Sequence, residues 1–253
     1  CDKRVMTRKV AFSRGQSRDS TMKVMTFNIR TGTAFWDGFN NWSGRKQKVI
    51  DTIASSGADV VGVQEALDYQ VSAIRQGLPQ YARYAVGRSD GRREGESCAI
   101  FYRRDRFIRL DSGTFWFSDT PSEPGTKFFG SIFPRICSWV HLADTQSKKG
   151  FYVYNVHLAC LSQSAREDSV RLLARRIAAR GSNDPFVVMG DFNMKIDNPA
   201  MKYLQNLSRK TPYPRMFDAW TMANPGRRGI GTAHRFGGPG TGSRIDHIPI
   251  SEG

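Results

Sequence analysis

The sequence predicts an α/β protein in which strands and helices alternate along the chain. Apolar runs of strand length recur, and several of them end abruptly in polar residues. Other segments carry apolar residues at helical spacing and stop at a glycine or a proline. A length of 253 residues suits one large α/β domain or two small ones, and we find no internal repeat and no interdomain linker.

The composition favours anionic partners. The formal net charge is +15 and the pI is about 10.0, which suits nucleic acid, phosphorylated small molecules or an anionic membrane surface. A basic, solvated exterior explains the same charge. No apolar run approaches the roughly 20 residues that a bilayer-spanning helix needs, so we predict no transmembrane segment.

The four cysteines indicate neither a zinc site nor a disulfide framework. Cys1, Cys98, Cys137 and Cys160 show no paired spacing and no Cys-x-x-Cys motif. Cys98 and Cys137 lie in strand-like apolar runs, where cysteine behaves as a small core residue. We therefore predict that these two are buried.

Residues 1–21 predict a flexible basic arm. Six lysines and arginines stand against two aspartates in this segment, with little apolar periodicity. A first residue of Cys1 followed by a polar segment is typical of a mature bacterial lipoprotein, and a trimmed terminus explains it equally well. The Arg-rich, Ser-containing and acid-poor composition of the arm also suits the remains of an organellar targeting segment. We expect an exported or lipid-anchored protein in the first case and a cytoplasmic one otherwise.

The first predicted unit is a strand, a helix and a second strand. Residues 22–29 form a short apolar strand that ends at Asn-Ile-Arg. Residues 45–56 carry an apolar stripe at helical spacing, with Gly57 as the C-cap. Residues 58–63 then form a buried strand that ends at Gln-Glu. Both strands of the unit therefore end in polar residues.

The remaining elements follow from the same signals. A second helix is predicted at 69–78, stopped by Pro79. Ser164 and Glu167 predict a capping box for a helix that runs to about residue 180. Further strands are predicted at 97–102, 107–117, 135–142, 151–158, 186–190 and 244–250, with a short helix at 198–206.

The chain is organised around residues 186–193. An apolar run ends at Gly190 and then presents Asp191 and Asn193, a spacing that puts both side chains on one face of an extended segment. A carboxylate in this position can bind a metal or orient a water, and a carboxamide can donate to an oxyanion. Gly-Asp-x-Asn is also typical of an ordinary exit from a strand into a turn.

Several other predicted strands end in polar residues too. In a layered α/β fold, strand ends that meet at one edge of a sheet form a site. Carboxylates and carboxamides suit Mg²⁺ or Mn²⁺, and the absence of a Cys/His cluster argues against structural zinc. Each residue alone is more often a turn, surface or capping residue, so the ordered set is what predicts a site. The candidates are Asn28, Glu65, His157, Asp191, Asn193 and Asp246.

Six short motifs accompany these candidates in a fixed order. They are Met-Thr-Phe-Asn-Ile-Arg (25–30), Val-Gln-Glu-Ala (63–66), Ser-Cys-Ala-Ile-Phe-Tyr (97–102), Asn-Val-His-Leu (155–158), Gly-Asp-Phe-Asn (190–193) and Ser-Arg-Ile-Asp-His-Ile (243–248). In this order they resemble the endonuclease/exonuclease/phosphatase superfamily, and most closely its bacterial members of unassigned substrate, which share Gly-Thr-Phe-Trp-Phe-Ser-Asp-Thr-Pro (113–121). The resemblance implies an α/β four-layer sandwich, with two mainly antiparallel β-sheets packed face to face and helices outside. It also implies divalent-metal hydrolysis of phosphoesters.

The resemblance implies a role for each candidate residue. Asn28 and Glu65 match the metal-site pair of the superfamily. His157 matches a histidine that contacts the phosphate. Asp191 matches the carboxylate that orients the attacking water, and Asn193 matches the oxyanion donor.

Further positions match less completely. Asp246 matches a carboxylate near the metal or its partner histidine, and Arg135 and His234 lie in stretches where relatives place other polar site residues. Relatives often read Asn-Thr-His-x-Asp-His where this chain has Ala159 and Cys160 in place of the Asp and the second His. We expect this departure to alter substrate contacts more than the metal site.

A second departure concerns the end of the chain. Relatives continue to a final strand with Ser-Asp-His, whose histidine binds the scissile phosphate and pairs with the equivalent of Asp246, whereas this sequence stops at Gly253. His247 is not expected to replace that histidine, because neighbours in a strand point to opposite faces. We therefore expect a fragment, an impaired enzyme or an enzyme that completes the last step differently. Loss of one positioned acid or donor costs about 10² to 10⁴ in rate, which leaves residual activity.

The sequence thus predicts a metal-dependent phosphoesterase domain over residues 22–253. We expect an Mg²⁺- or Mn²⁺-dependent hydrolase, a phosphodiesterase, nuclease or phosphatase, that acts by attack of water on phosphorus. The substrate class stays open among nucleic acid, phosphorylated sugars or inositols, and phospholipid head groups. The alternative is a catalytically impaired protein that retains the cleft and binds phosphate or nucleic acid. We expect a monomer.

Overall fold

Two β-sheets packed face to face, with helices on their outer faces, form the fold. The structure is a computed structural model that describes residues 6–10, 21–206, 212–227, 229–233 and 242–252. The predicted α/β four-layer sandwich is confirmed. Within the described residues, no helix is long and apolar enough to cross a bilayer.

The elements alternate between strands and helices along most of the chain. The strands are β1 (Met6–Val10), β2 (Met22–Asn28), β3 (Val60–Ala66), β4 (Tyr81–Tyr84), β5 (Ser97–Arg103), β6 (Phe107–Trp116), β7 (Ile136–Asp144), β8 (Gly150–His157), β9 (Phe186–Asp191), β10 (Met216–Asp218), β11 (Asp246–His247) and β12 (Pro249–Ser251). The helices are α1 (Trp42–Ser56), α2 (Asp68–Gly77), α3 (Gln163–Ala178), α4 (Pro199–Gln205) and α5 (Ala219–Ala223), and a 3₁₀ helix covers Phe35–Asn40.

Each sheet contains one parallel pair of strands. The first sheet has the order β1-β2-β3-β5-β4, and the second has the order β10-β12-β9-β8-β7-β6, with β11 also paired to β9. The parallel pairs are β2 with β3 and β8 with β9, and the other pairs are antiparallel. We call the edge of the sandwich where these four strands end the carboxyl edge, and the other the amino edge.

The apolar core has three layers. Between the sheets lie side chains such as Val24 and Val187. The outer face of the first sheet packs on α1 and α2 through Ile53 and Ile74, and that of the second sheet packs on α3 and α4 through residues such as Leu173. Burial of each such side chain contributes about 1.5–3 kcal/mol, so the alternation of apolar residues fixes which strand positions face inward.

The helix boundaries follow the predicted caps with one correction. Gly57 ends α1 in the left-handed conformation (φ 60°), as predicted. The predicted capping box at Ser164 is wrong, because α3 begins at Gln163 and its N-cap is Ser162. The Ser162 hydroxyl accepts a hydrogen bond from the Ala165 amide at 3.1 Å, which supplies the cap two residues earlier.

The sequence pattern does not resolve the shortest elements. The strand predicted at 244–250 is two short strands, β11 and β12, separated at Ile248. The sequence pattern does not predict β4, β10 or α5, each of at most five residues. Elements of this length carry too few residues for a clear period.

The predicted basic arm contains a strand. Met6–Val10 forms β1 and pairs antiparallel with β2, with Met6 opposite Thr26. The expectation of a flexible arm is therefore corrected for these five residues. Residues 1–5 and 11–20 lie outside the described part of the chain.

The two cysteines predicted to be buried lie in the core. Cys98 and Cys137 are 2% and 0% exposed. Burial raises the pKa of Cys98 to about 12, so its thiol stays protonated at neutral pH. Cys160 is exposed.

Candidate active site

The candidate residues meet between the two sheets at the carboxyl edge. Asn28, His157 and Asp191 are the last residues of β2, β8 and β9. In each of these strands, the residue four places earlier packs between the sheets. Because side chains in a strand alternate between faces, all three site residues face inward at the end of their strand.

Glu65 reaches the same place through a β-bulge. The register between β3 and β5 shifts between Val63 and Ala66, and Glu65 has a left-handed backbone (φ 61°). In regular alternation Glu65 would point toward the helices, because Gln64 faces inward and bonds Asn155 across the sheets. The bulge re-aims the carboxylate toward the carboxyl edge.

Asn28 links the two carboxylates of the site. Its side-chain Nδ2 donates to Glu65 Oε1 at 2.7 Å and to Asp191 Oδ2 at 2.9 Å, joining the first sheet to the second. Its Oδ1 accepts from the Arg30 amide at 2.9 Å. The Thr31 amide donates to Glu65 Oε2 at 3.1 Å. In this arrangement Asn28 positions both carboxylates, and its role as a direct metal ligand stays a prediction.

His157 is oriented by a buried arginine. Arg135 donates from a terminal guanidinium nitrogen to His157 Nδ1 at 2.9 Å. Because arginine is only a donor, Nδ1 must accept and the ring proton lies on Nε2. The Nε2 atom lies 3.9 Å from Asp191 Oδ2, so its hydrogen faces the carboxylates. Arg135 therefore joins the site, as its position in the sequence had suggested.

The close packing of β9 against β8 requires a glycine at residue 190, just before Asp191. The φ of Gly190 is 151°, and a Cβ there would lie 2.0 Å from the Val156 carbonyl oxygen. The close approach of β9 to β8 sets His157 beside Asp191 in register. A side chain at residue 190 would push the two strands apart.

Asn193 lies beside Asp191 but not on the same extended segment. Strand β9 ends at Asp191, and Asn193 has a left-handed backbone (φ 52°), so the prediction of one extended face for both is wrong. The turn lets the Asn193 amide donate to Asp191 Oδ1 at 2.9 Å. Its side-chain Nδ2 donates one hydrogen to the Leu158 carbonyl at 3.0 Å, which leaves one further hydrogen for the predicted oxyanion contact.

Asp246 and His247 point to opposite faces, as predicted. Asp246 is the register partner of Asp191, which puts both carboxylates on the inward face. His247 is fully buried on the other face, with Nε2 2.9 Å from the Met194 carbonyl and Nδ1 3.5 Å from Asp218. His247 therefore does not enter the site.

The family follows from a match over most of the chain. A model of the Endonuclease/Exonuclease/phosphatase family matches residues 25–248. The chain belongs to this family. The predicted superfamily is thereby confirmed.

Solved structures of bacterial relatives share the fold. An endonuclease/exonuclease/phosphatase from Bacteroides vulgatus is 31% identical, covers 90% of this chain and 86% of its own, and superposes with a TM-score of 0.81. A mannosyl-6-phosphatase from Bacteroides thetaiotaomicron is 29% identical, with 91% and 85% covered and a TM-score of 0.78. An uncharacterized protein of Acanthamoeba polyphaga mimivirus is 27% identical over 181 residues, which is 68% of this chain and 67% of that one.

The family is generally divalent-metal dependent, and the donor set of this member fits such an ion. Ligand atoms of Glu65, His157 and Asp191 lie within 4.8 Å of one another. Carboxylate oxygens are the donors that Mg²⁺ and Mn²⁺ prefer. Because Nε2 of His157 carries the proton, its hydrogen-bonding role favours a phosphate contact, and the two carboxylates are the better metal donors.

Two buried polar residues that the sequence pattern does not single out hold the loop after β2 next to the site. The guanidinium of Arg45, 1% exposed, donates to the carbonyls of Ile29, Arg30, Thr31 and Asn40. Gln70 is also buried and holds the same loop, accepting from the Gly32 amide at 2.8 Å and donating to the Arg30 carbonyl at 3.1 Å. Arg45 shares the apolar stripe of α1 at four-residue spacing, and a polar residue on such a stripe is the signal that would have found it.

A second polar layer lies beneath the carboxylates. Asn155 is fully buried, and its Nδ2 donates to the carbonyls of Val63 and Ala99 at 3.0 and 2.9 Å. Its Oδ1 accepts from Gln64 Nε2 at 2.6 Å. These bonds fix β8 against the bulged strand β3, and they explain the Asn of the Asn-Val-His motif.

An ion pair borders the site on the side of β5. Arg88 contacts Glu96 at 2.6 Å, and both side chains are mostly buried. Burial lowers the pKa of Arg88, opposed by the negative charge of Glu96. Burial raises the pKa of Glu96, opposed by the positive charge of Arg88. The neighbourhood of Glu65 therefore also contains buried positive charge, in Arg88 and Arg135.

His234 cannot be placed, because residues 234–241 lie outside the described part of the chain. Ala159 is buried and Cys160 exposed just after His157. Cys160 Sγ lies 4.0 Å from the Arg135 guanidinium, next to the site. Cys160 therefore lies beside the site, whereas Ala159 packs in the apolar core against α3.

Proposed function

We propose that this protein is an Mg²⁺- or Mn²⁺-dependent hydrolase that cleaves phosphoester bonds by attack of water on phosphorus. The observation that carries the proposal is the convergence of Glu65, His157 and Asp191 from both sheets, with ligand atoms within 4.8 Å. Like charges brought this close are costly unless a cation or a reaction uses them. Membership of a family of phosphoester hydrolases supports the same reaction class.

Glu65, with Asp191 beside it, would hold the cation. When bound, the ion supplies Lewis-acid polarisation of a phosphoryl oxygen. Asn28 spaces the two carboxylates by donating to each of them. Of the candidate roles, metal binding by Glu65 depends most directly on the bulge that turns it inward.

Asp191 would orient the attacking water and accept its proton. One of its oxygens is held by the Asn193 amide and the other by Asn28, so the carboxylate has a fixed direction. Asp246, its register partner, adds a second negative charge that favours proton acceptance.

His157 would donate from Nε2 to a phosphoryl oxygen. Arg135 fixes this tautomer by donating to Nδ1. Asn193 would donate its remaining amide hydrogen to the same developing charge. Neither role requires the metal to be bound to His157.

Phosphorylated sugars are the first soluble substrates to test. The Bacteroides thetaiotaomicron relative described as a mannosyl-6-phosphatase covers nearly the whole chain at 29% identity. The charge of +15 keeps nucleic acid as the second class. Steep loss of binding with rising salt would support the second class, and a flat response would remove it.

The test is hydrolysis of one phosphomonoester and one phosphodiester with Mg²⁺, with Mn²⁺ and with EDTA. We expect turnover that EDTA abolishes and that Glu65→Gln lowers by about 10³. Glu123→Gln, at an exposed glutamate in the loop before β7, is the matched control and keeps full activity. Phosphate binding with no turnover under any metal would contradict the proposal and favour a binding protein.

A further inference from the structure

Large apolar side chains are exposed mainly at the carboxyl edge. The loops there follow β2 and β8 and precede β5 and β7, as the strand pairing requires. By contrast, Ile108 and Leu110 are exposed near the start of β6, toward the amino edge. We call the exposed residues of the carboxyl-edge loops the apolar rim: Trp36, Phe39, Phe129, Ile132, Phe133 and Leu161.

One side of the apolar rim is the 3₁₀ helix that follows β2. Trp36 is 67% exposed and Phe39 is fully exposed. The helix is tied to the site, because Asp37 accepts two hydrogen bonds from the Arg30 guanidinium at 2.5 and 2.7 Å. The rings of Trp36 and Phe39 therefore lie in the segment that follows Asn28.

The other side of the apolar rim is the loop between β6 and β7. Phe129 is 97% exposed, and a Cβ on the neighbouring Gly130 would lie 2.8 Å from Ser162 Oγ, next to Leu161. The Lys127 ammonium donates to the Ile132 carbonyl at 2.7 Å, which fixes the fold of the loop. This side thus adjoins the end of β8, where His157 lies.

Cations lie beside these apolar side chains. The Arg88 guanidinium is 5.1 Å from the centroid of the Phe133 ring. Arg92 and Arg93 are exposed in the loop before β5, which packs on the β6–β7 loop where a Cβ at Gly91 would lie 2.8 Å from Pro124. Exposed aromatic and aliphatic side chains suit the boundary between acyl chains and head groups. Arg92 and Arg93 stand beside the exposed Glu94 in this loop, so the anionic preference rests on the net charge of the chain.

We propose that the apolar rim docks on an anionic lipid surface, so that the cleft opens toward phosphorylated lipid head groups. Nearly complete exposure of Phe39 and Phe129 is costly in water and is relieved by insertion between lipids. The aliphatic members Ile132 and Leu161 suit acyl chains better than a sugar ring or a base. The net charge of +15 complements an anionic surface. The lipid as substrate rests on the function proposed above, whereas docking does not.

The test is sedimentation of the full chain with vesicles at physiological ionic strength. Vesicles of phosphatidylcholine mixed with phosphatidylserine are compared with phosphatidylcholine alone. The double variant Phe39→Ser with Phe129→Ser is compared with Ile108→Ser with Leu110→Ser, which removes exposed apolar side chains toward the amino edge. Thermal unfolding of each variant checks that it is folded, and the two rim variants are also made singly.

We expect the wild type and the amino-edge variant to bind the anionic vesicles equally. Each rim substitution weakens partitioning by about tenfold, the factor for burial of one aromatic ring. A folded rim variant that sediments like the wild type would overturn the proposal, because charge alone would then hold the protein. Absence of wild-type binding would overturn it too.

The two proposals fail separately. Sedimentation needs no turnover, so Asp191→Asn should bind vesicles like the wild type even if no phosphoester is hydrolysed. Hydrolysis of a soluble phosphoester without any vesicle binding would overturn the docking proposal and leave the proposed function standing.

Discussion

The two edges of the sandwich both carry buried charge but use it differently. At the amino edge Arg106 lies 2.9 Å from Asp144 and 3.1 Å from Asp59, so acids and base neutralise one another. At the carboxyl edge Glu65 and Asp191 are brought together and share hydrogen bonds from Asn28. Compensated charge stabilises the fold at one edge, whereas at the other edge the carboxylates of Glu65 and Asp191 form the cation site proposed above.

The two edges also differ in how many non-glycine residues have a positive φ angle. Among the described non-glycine residues, Arg30, Glu65 and Asn193 have positive φ at the carboxyl edge, Lys148 has it in a turn at the amino edge, and Asn206 has it at the C-cap of α4. Each such non-glycine residue costs about 1–3 kcal/mol. The Arg30 amide donates to Asn28, Glu65 is itself a site carboxylate, and the Asn193 amide donates to Asp191, so these backbone positions lie where the chemistry is proposed.

The largest expected effect is on activity at the carboxyl edge. Asp191→Asn should lower kcat/KM for a phosphoester by about 10³ or more, because the water-orienting carboxylate is lost. Its unfolding midpoint without metal should stay equal or rise, because one of two neighbouring negative charges is removed. Steady-state kinetics and calorimetry measure the two quantities. A folded variant with wild-type activity would contradict the proposed role of Asp191 in hydrolysis.

The second effect is on stability at the amino edge. Asp144→Asn should lower the free energy of unfolding by about 2 kcal/mol at neutral pH, because Arg106 loses two charge-assisted hydrogen bonds and keeps Asp59 as its acidic partner. Activity per folded molecule should stay within about twofold, since Asp144 lies far along β7 from the site. Denaturant unfolding and kinetics on the same samples check both. A loss of activity as large as that of Asp191→Asn would contradict the claim that the amino edge serves stability and not catalysis.

The difference between Asp144→Asn and the wild type should also depend on pH. Burial opposes the charged form of Asp144, but hydrogen bonds from Arg106 and its charge leave the pKa below its ordinary value. A lowered carboxyl pKa contributes stability above about pH 4, which is lost as the pH falls toward the folded-state pKa. The unfolding curves of the wild type and of Asp144→Asn should therefore differ at neutral pH and converge at acidic pH. A constant difference would contradict the pairing.

The smallest expected effect concerns His157. Arg135→Met should lower kcat by about tenfold, because nothing then fixes the Nε2–H tautomer. The ¹⁵N shifts of the imidazole nitrogens report the tautomer directly, and only four histidines need assignment. In the wild type, Nδ1 of His157 should be unprotonated. A protonated Nδ1 would contradict the hydrogen bond from Arg135.

The sequence predicts the site residues better than it predicts how they are oriented. Asn28, His157 and Asp191 could be found because each ends an apolar strand, a pattern visible along the chain. The direction of Glu65 could not, because the bulge depends on pairing with β5, a strand more than 30 residues away. The tautomer of His157 depends on Arg135, which reaches it only in the folded sheet.

Tertiary structure also decides the N-cap of α3 and the formation of β1, which the sequence pattern does not predict. Ser162 caps α3 because its extended backbone (φ −91°, ψ 117°) directly precedes the first helical residue, and sequence spacing does not determine that conformation. Strand β1 forms because β2 offers a free side for pairing, although residues 6–10 show no clear alternation. Apolar periodicity therefore predicts the layers, and tertiary pairing decides the details.

The most direct test of the central claim is diffraction from crystals soaked in Mn²⁺, measured at an anomalous wavelength. One strong peak is expected about 2.2 Å from a Glu65 carboxylate oxygen, beside Asp191, and it should vanish in Glu65→Gln crystals. A peak elsewhere, or an unchanged peak in the variant, would contradict the claim that the two sheets bring these side chains together to hold a cation.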